Sequence, residues 1–357
     1  MKACLLTGHG GMERLQFRND VPKPAPGSNE ALVRVLACGL NNTDVNTRTG
    51  WYSAKVSEST TGEALADARH EDAAWGGKAI SFPRIQGADV CGIVEKTGAG
   101  APEELIGKRV LIDPWIRCWH RPEDREGIGY FGSETDGGFA EFTVADYRQI
   151  HVVESEFSNS ELATFATSWG TALYMLERVS VCVRDTVLVT GASGGVGSAL
   201  VQLARLRGAR SVAMCSAGKA GEVAALGADV VIPRRLGEVR SVMASKGLTS
   251  VTVVADLVGG EIFPELLDVL EPQGRYVVSG AIGGPRVELD LRSLYLRDLS
   301  FSGVSVPEPG AFGRLVGIIE SGGIKPILAA EFPLSELAQA QAMFIEKKHV
   351  GNIVVVP

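Results

Sequence analysis

A strand, a glycine-rich turn and a helix follow one another directly in the middle of this chain, and their order restricts the possible folds more than any other feature. The apolar run Val187–Val189 enters the turn Gly-Ala-Ser-Gly-Gly-Val-Gly at 191–197, and the helix behind it carries Leu200 and Leu203 on one face. Glycines let the backbone approach phosphates closely, and a helix N-terminus offers free N–H groups and a positive dipole end. The order therefore predicts a dinucleotide pyrophosphate site. The residues expected against the pyrophosphate are Ser193, Gly194, Gly195 and Val196.

The segment after the next predicted strand favours NADPH over NADH. An NAD site usually carries an acid there, about 20 residues beyond the turn, to bind the ribose hydroxyls. Here residues 213–219 read Ala-Met-Cys-Ser-Ala-Gly-Lys and contain no acid. We therefore expect Ser216 and Lys219 to bind the extra 2′-phosphate. Arg210 and Arg234 are weaker candidates, for which a solvated surface charge is the favoured alternative.

Composition excludes several classes of function. The net charge of −7 over 357 residues argues against nucleic acid as a main partner. No run approaches the roughly 18 apolar residues of a membrane helix, and the N-terminus becomes polar too soon for a signal peptide. The six cysteines are scattered without a C-x-x-C pair, which is typical of reduced thiols in a cytosolic protein. The predicted location is cytoplasmic.

The chain has two regions with different sequence patterns. Residues 1–155 are rich in short apolar runs between Gly and Pro, whereas strands and helices alternate over 160–300, which predicts a parallel sheet. The polar stretch 53–80 is predicted to be a surface insertion with a short helix at 63–71. The predicted strands are 31–37, 89–95, 109–113, 186–190, 211–215, 229–232, 251–256, 275–279 and 353–356. The predicted helices are 161–178, 195–207, 219–226, 235–246, 261–270, 311–321 and 335–347.

A series of further motifs occurs in one order along the chain. They are Asn41–Tyr52, Gly87-Ala-Asp89, Gly137-Gly-Phe-Ala-Glu141, Leu226-Gly-Ala-Asp229, Ser279–Gly283 and His349–Ile353. With the glycine turn, the series resembles the medium-chain dehydrogenase/reductase superfamily, in particular its zinc-independent quinone oxidoreductase and enoyl reductase branch. The resemblance implies an α/β fold with a Rossmann doubly wound parallel sheet and a GroES-like β-rich catalytic domain. The expected domains are 1–158 with 306–357 for the catalytic part and 159–305 for the dinucleotide-binding part.

The same resemblance argues against a metal. Zinc needs about three protein ligands with N, S or O donors. The positions that match the zinc ligands of metal-dependent relatives hold Asn41, Ala88-Asp89 and Thr167 here, and only Cys118 lies where some relatives cluster four cysteines. We expect no zinc, which shifts the expected chemistry from alcohol oxidation towards reduction of a polarised C=C bond.

The resemblance also places residues around the reacting atoms. Tyr52 matches a proton-donating tyrosine of enoyl reductases, and Asn41 could donate its amide near the nicotinamide or the carbonyl. The alternatives are a pocket wall for Tyr52, with water as the proton donor, and a turn-stabilising role for Asn41. The remaining expected cofactor contacts are Thr171, Val258, Ala281 and Ile282.

These observations lead to one main hypothesis and two alternatives. The main one is an NADPH-dependent reductase of a small electrophile such as a quinone, enone or enoyl thioester. The others are a zinc-free alcohol or aldehyde oxidoreductase and a catalytically silent NADPH-binding protein. We also expect a homodimer paired through the strand near 299–305, and a lid formed by 53–80 and 115–131. The aromatic side chains that could line the substrate pocket are Trp51, Trp115, Trp119, Tyr130, Phe131 and Trp169.

Overall fold

The computed structural model describes residues 1–60, 63, 73–75 and 79–357, so the helix predicted at 63–71 lies outside the described residues apart from residue 63. The strands in the described chain are β1 Ala3–Leu6, β2 Leu15–Arg18, β3 Glu30–Gly39, β4 Arg84–Ile85, β5 Asp89–Thr97, β6 Arg109–Ile112, β7 Trp115–Ile116, β8 Gly129–Tyr130, β9 Phe142–Asp146, β10 Ile150–Val152, β11 Thr186–Val189, β12 Arg210–Cys215, β13 Val230–Pro233, β14 Val251–Asp256, β15 Leu270–Val278, β16 Ser300–Gly303, β17 Leu328–Pro333 and β18 Asn352–Val356. The helices are α1 Asn42–Thr49, α2 Asn159–Leu162, α3 Ala166–Arg178, α4 Gly195–Leu206, α5 Ala220–Ala225, α6 Val239–Ser245, α7 Phe263–Asp268, α8 Leu291–Tyr295, α9 Ala311–Ser321 and α10 Leu337–Glu346.

A parallel sheet holds the glycine turn. Its strand order is β13-β12-β11-β14-β15-β16, and every neighbouring pair is parallel. Val187 and Val189 of β11 pack into the hydrophobic cluster beneath α3, α4 and α9, whereas Leu188 packs into the cluster beneath α6 and α7. Because successive side chains of one strand reach helices on opposite faces, the sheet is doubly wound, as predicted.

The β-rich part is built around a second sheet with the order β10-β6-β5-β3-β18-β17, and β9 also pairs with β3. The C-terminal strands β17 and β18 therefore join strands from the first third of the chain. The domain limits at 158 and 305 stay a prediction. β16 ends the parallel sheet at one edge, where the predicted homodimer would pair.

Several predicted elements have different limits in the structure, and two of them show the reason. The helix predicted at 161–178 is interrupted between α2 and α3, where the carbonyl of Ala163 approaches Gly39 so closely that a Cβ there would lie 2.3 Å away. The strand predicted from 275 begins at Leu270, because Leu270 pairs with Val251 of β14. In both cases a contact between distant segments decides the limit, and local sequence does not contain it.

Candidate active site

The turn between β11 and α4 has the shape that a pyrophosphate requires. A Cβ on Gly197 would lie 2.2 Å from the carbonyl oxygen of Gly191, so the turn can close only with glycine at 197. Gly194 precedes α4, and Gly195 and Val196 begin it. The first N–H groups of a helix have no carbonyl partner within the helix and carry its positive dipole end. The predicted residues 193–196 thus form an anion-binding cradle that fits a dinucleotide.

The C-terminal segment covers one side of this turn. The N–H of Gly351 donates to the carbonyl of Ser193 at 2.9 Å, and the Asn352 amide donates to Ser168 Oγ at 2.9 Å. A Cβ on Gly195 would lie within 2.7 Å of both side chains. Sequence reasoning assigned no role to Asn352, which is buried and holds the β-rich part of the chain against the turn. Thr171 is half-buried one turn along α3 from Ser168.

Two lysines meet beside the turn. The Lys219 ammonium donates to Ser193 Oγ at 3.4 Å and to the Lys347 carbonyl at 2.5 Å, and the Lys347 ammonium donates to Asn42 Oδ1 at 2.9 Å. No carboxylate in the described chain forms an ion pair with either ammonium.

Burial lowers the pKa of Lys219, while the nearby Cys215 and Glu222 raise it and the smaller effect of Arg234 adds to the lowering. Burial, followed by the charge of Lys219, also lowers the pKa of Lys347, to about 7. A bound anion would favour the charged form of both lysines.

His349 belongs to the same cluster but carries no charge. Burial, followed by the charges of Lys347 and Lys219, lowers the pKa of His349 to about 4, so its ring is neutral near pH 7. Lys347 was missed by sequence reasoning because it lies 128 residues from Lys219. The only local signal was the Lys-Lys pair that precedes the His349–Ile353 motif.

The other residues predicted to contact the 2′-phosphate lie at two opposite edges of the parallel sheet. Ser216 directly follows β12 and is exposed at the same edge as the turn, and Arg234 directly follows β13. Arg210 is the first residue of β12. The prediction that Arg210 contacts the 2′-phosphate is wrong. The amino end of a parallel strand lies at the edge of the sheet opposite the turn, so the six residues of β12 separate Arg210 from the edge that carries the turn.

The nicotinamide side of the edge is formed by residues that follow β14 and β15. Val258 is buried next to the glycine turn, and its carbonyl accepts from the Gly283 N–H at 2.7 Å. Ala281 and Ile282 are half-buried in the same loop. The Ile282 carbonyl accepts from the N–H of Thr60 at 3.0 Å, so the beginning of the 53–80 insertion contacts this loop.

A buried carboxylate, which sequence reasoning also missed, organises this edge. Asp256 accepts from the hydroxyls of Thr190 at 2.6 Å and Tyr276 at 2.5 Å. It also accepts from the N–H groups of Val258 and Gly259. A single side chain at the end of β14 thus joins three neighbouring strand ends and fixes the loop that carries Val258.

A chain of hydrogen bonds occupies the positions that match the zinc ligands of metal-dependent relatives. Asp89 Oδ1 accepts from the Thr167 N–H at 2.9 Å and is 2.5 Å from Thr167 Oγ1. The Tyr130 hydroxyl is 2.7 Å from the same Oγ1. Asp89 is fully buried, and burial raises its pKa to about 6. Burial also raises the pKa of neighbouring Asp44 to about 7.

Asn41 and Tyr52 lie beside this chain. Asn41 is buried, and its Nδ2 has no hydrogen-bond partner of normal geometry, as is also true of Asp89 Oδ2. The amide lies close enough to Asp89 to favour its charged form. The Tyr52 hydroxyl donates to Thr43 Oγ1 at 3.4 Å, and burial raises its pKa. An unpaired buried amide donor is costly unless a ligand uses it, so Asn41 is suited to bind a substrate or cofactor oxygen.

Three aromatic residues pack together beside a cleft, and of these Trp75 is the one that lines it in the described chain. Trp75, Trp115 and Tyr130 pack together with ring centroids 5.0–5.8 Å apart. Trp75 lines a cleft of about 730 Å³, together with Arg125, Ile128, Ser305 and Val306 among others, which is large enough for a small ligand. Phe131 and Trp169 are each only 1% exposed inside the two hydrophobic cores. Their prediction as pocket residues is wrong, because the packing of both cores encloses them.

Comparison with known proteins assigns the family. Residues 27–155 match the alcohol dehydrogenase GroES-like domain, and residues 195–321 match the zinc-binding dehydrogenase domain. A solved structure from Sinorhizobium meliloti 1021, described as a candidate alcohol dehydrogenase, is 43% identical with a TM-score of 0.89, covering 100% of this chain and 96% of its own. The chain belongs to the medium-chain dehydrogenase/reductase superfamily. It is therefore an oxidoreductase of an NAD(P)-dependent family.

Two curated relatives of this oxidoreductase have names that specify a reaction. The quinone oxidoreductase of Rattus norvegicus is 28% identical over 349 residues, which cover 95% of this chain and 92% of that protein. The acryloyl-coenzyme A reductase of Metallosphaera sedula is 28% identical over 366 residues, which cover 99% of each. None of the helices in the described chain is long and apolar enough to cross a bilayer.

The residues of this oxidoreductase do not fit the zinc ion for which one of its domains is named. Asp89 is the only strong zinc ligand among Asn41, Ala88, Asp89 and Thr167, and its Oδ1 is already bound twice by Thr167. Among the residues described, no three or more His, Cys, Asp or Glu side chains lie close enough to hold a metal. The side chains at these positions therefore do not provide the three ligands that zinc needs.

Proposed function

We propose that this oxidoreductase uses NADPH to reduce the C=C bond of a quinone, enone or enoyl substrate without zinc. The observation that carries the proposal is the buried Asn41 amide, whose Nδ2 has no partner of normal hydrogen-bond geometry and lies beside Asp89 and Thr167, at the positions where metal-dependent relatives hold zinc. The names of the quinone oxidoreductase and acryloyl-coenzyme A reductase relatives support the same substrate class.

The cofactor would be held by the cradle of residues 193–196 through its pyrophosphate, and by Lys219, Ser216 and Lys347 through its 2′-phosphate. Ammonium groups that pair with no carboxylate of the described residues can form charge-assisted hydrogen bonds to a phosphate, which would favour NADPH over NADH. Val258, Ala281, Ile282 and Thr171 would contact the nicotinamide side. When bound, the nicotinamide supplies a hydride to the β-carbon of the substrate.

Negative charge then develops on the substrate carbonyl oxygen. We propose that the Asn41 amide and the Tyr52 hydroxyl donate hydrogen bonds to that oxygen, which is the usual way in which a buried site stabilises such charge, and that Tyr52 then donates the proton that completes the reduction. The raised pKa of Tyr52 keeps its phenol protonated over the physiological range.

A substrate scan with a chelator present tests the function. We expect NADPH-dependent reduction of enones, quinones or enoyl thioesters at a rate that the chelator does not change, because no step uses zinc. Turnover of alcohols or aldehydes alone would favour the zinc-free alcohol oxidoreductase, which the name of the S. meliloti relative supports. Tight NADPH binding without any turnover would identify a silent binding protein.

Tyr52→Phe is expected to lower kcat on an enone about 10²-fold, because one donor to the developing oxyanion is lost. The dissociation constant of NADPH, measured by fluorescence titration, should stay within twofold of the parent value, since the phenol is placed on the substrate. An unchanged kcat would assign Tyr52 to the pocket wall.

A further inference from the structure

Two neighbouring clefts in the described chain form one groove. The cleft of about 730 Å³ that Trp75 lines and a second cleft of about 400 Å³ share Arg125 among their lining residues. The segment 117–128 forms one side of the groove, and the segment 305–309, which follows β16, forms the other. We propose that Arg117 and Arg125 bind an anionic group of the substrate in this groove, either a carboxylate or a phosphate. The inference rests on the proposed function, since it specifies the substrate of the same reaction.

The groove lies beside the loop proposed to contact the nicotinamide. Residues 305–306 follow β16 at the carboxyl edge of the parallel sheet, which is the edge where ligands of such sheets bind. The preceding residue, Val304, accepts at its carbonyl from the Ser279 hydroxyl at 3.1 Å. Ser279 stands just before Ala281 and Ile282 in the chain. The cofactor loop and the segment that borders the groove are therefore hydrogen-bonded neighbours.

Trp75 connects the groove to the residues around Asn41. Its ring packs on Tyr130 with the centroids 5.8 Å apart, and the Tyr130 hydroxyl is 2.7 Å from Thr167 Oγ1. Thr167 in turn bonds to Asp89, which lies beside the Asn41 amide. The groove is thus a few side chains away from Asn41, within reach of the far end of an elongated substrate whose reacting bond lies at Asn41.

Two arginines give the groove its positive charge. Arg117 is buried and donates to the Pro307 carbonyl at 2.6 Å, whereas Arg125 is exposed and donates to the Val306 carbonyl at 3.2 Å. The pair also donates to the carbonyl of Pro122 and to the hydroxyl of Tyr174. A guanidinium has five N–H donors, so each arginine keeps donors for a ligand. Within the described residues neither forms an ion pair with a carboxylate.

The two guanidinium groups are close enough to repel each other. Burial lowers the pKa of Arg117, the charge of Asp113 raises it, and the charge of Arg125 adds to the lowering. An anion between the two arginines would relieve this repulsion. A carboxylate or a phosphate would also accept charge-assisted hydrogen bonds from them, in the bidentate geometry that guanidinium groups favour.

The rest of the lining favours an anion at the end of a longer molecule over a free ion. Glu123, Glu126 and Glu308 also line the groove, but all three are exposed, so solvent and salt screen their charges. Arg117 is buried and is screened less. Trp75 supplies apolar surface in the same groove. The groove therefore fits a substrate with an apolar chain and an anionic end.

Two pairs of substrates that differ in charge test the groove. Crotonyl-coenzyme A carries phosphates that the N-acetylcysteamine thioester of crotonate lacks, and traumatin, a linear enal that ends in a carboxylate, has a neutral methyl ester. We expect kcat/KM to be about 10-fold higher for the charged member of at least one pair, mainly through a lower KM. A preference confined to the thioesters would identify the phosphates of the carrier, and one confined to traumatin would identify a terminal carboxylate. Equal values within both pairs would overturn the anion site.

Arg125→Gln separates the charge of the groove from the other differences within each pair of substrates. It keeps a polar side chain at an exposed position, and the preference for the charged substrate should fall about 10-fold. Arg121→Gln is the matched control, because Arg121 pairs with Asp124 at 3.1 Å and lines neither cleft. This control should keep the preference of the parent. An equal loss in both variants would reduce the effect to net charge and overturn the site.

Calorimetric titration tests the groove without turnover. Crotonyl-coenzyme A and traumatin are each titrated into the enzyme saturated with NADP⁺, so that the nucleotide site is occupied. The dissociation constant of at least one of them should rise about 10-fold in Arg125→Gln and stay at the parent value in Arg121→Gln. Equal dissociation constants in the parent and Arg125→Gln for both ligands would overturn the groove site. A parent that shows the expected binding but reduces no C=C substrate would overturn the proposed function and keep the anion site.

Discussion

Lys219→Ala is expected to weaken NADPH binding roughly 10- to 100-fold, because a charge-assisted hydrogen bond to a phosphate contributes about 1.5–3 kcal/mol. NADH has no 2′-phosphate, so its dissociation constant should change less than twofold. The measurement is a fluorescence titration of each cofactor with the parent and the variant. The lysine ammonium reaches Ser193 of the turn and has no carboxylate partner in the described chain, so its charge is available to the ligand.

Arg210→Ala is the matched control for this prediction. It removes a positive charge from the opposite end of β12, the same strand that Lys219 follows, and it should leave both dissociation constants unchanged. Equal weakening of NADPH and NADH by Lys219→Ala would contradict the assignment of the 2′-phosphate site. The same result in Arg210→Ala would show only a general effect of net charge.

Asp256→Ala is expected to lower the free energy of unfolding by about 3–5 kcal/mol, because it leaves several buried donors without an acceptor. The hydroxyls of Thr190 and Tyr276 and the N–H groups of Val258 and Gly259 all lose their bond to this carboxylate. Asp256→Asn keeps one acceptor oxygen, so its free energy of unfolding should fall by less than that of Asp256→Ala. Chemical denaturation monitored by circular dichroism measures the difference.

Asp268→Ala is the control for the lowered free energy of unfolding of Asp256→Ala. Asp268 is an exposed aspartate at the end of α7, and its replacement should change the free energy of unfolding by no more than about 0.5 kcal/mol. If Asp256→Ala were as stable as Asp268→Ala, the carboxylate would not be the element that joins the ends of β11, β14 and β15.

Much of the nucleotide-binding half followed from local patterns. The turn at 191–197 lies between a strand and a helix as predicted, and predicted strands such as 186–190 and 251–256 match β11 and β14 to within one residue. Such elements are encoded locally, by β-branched runs, glycines and helical periodicity. The interruption between α2 and α3 is not encoded locally, because it depends on the approach of Ala163 to Gly39, which is 124 residues away in sequence.

The candidate site, too, was predictable in part from the sequence alone. Sequence alone determined that a glycine turn opens a helix, that no acid follows it, and that the positions of zinc ligands hold Asn41, Asp89 and Thr167. These are properties of residue type at a position, which a sequence states directly.

Only the tertiary structure decided which distant side chains meet. Lys347 joins Lys219, Asn352 joins Ser168, and Tyr130 joins Thr167 and Asp89. Each of these contacts crosses between segments 37 to 184 residues apart. They form because the C-terminal strands return to the first sheet and bring the β-rich part against the edge of the parallel sheet. Local sequence carries no signal for such a contact, since its free energy depends on packing that exists only in the folded chain.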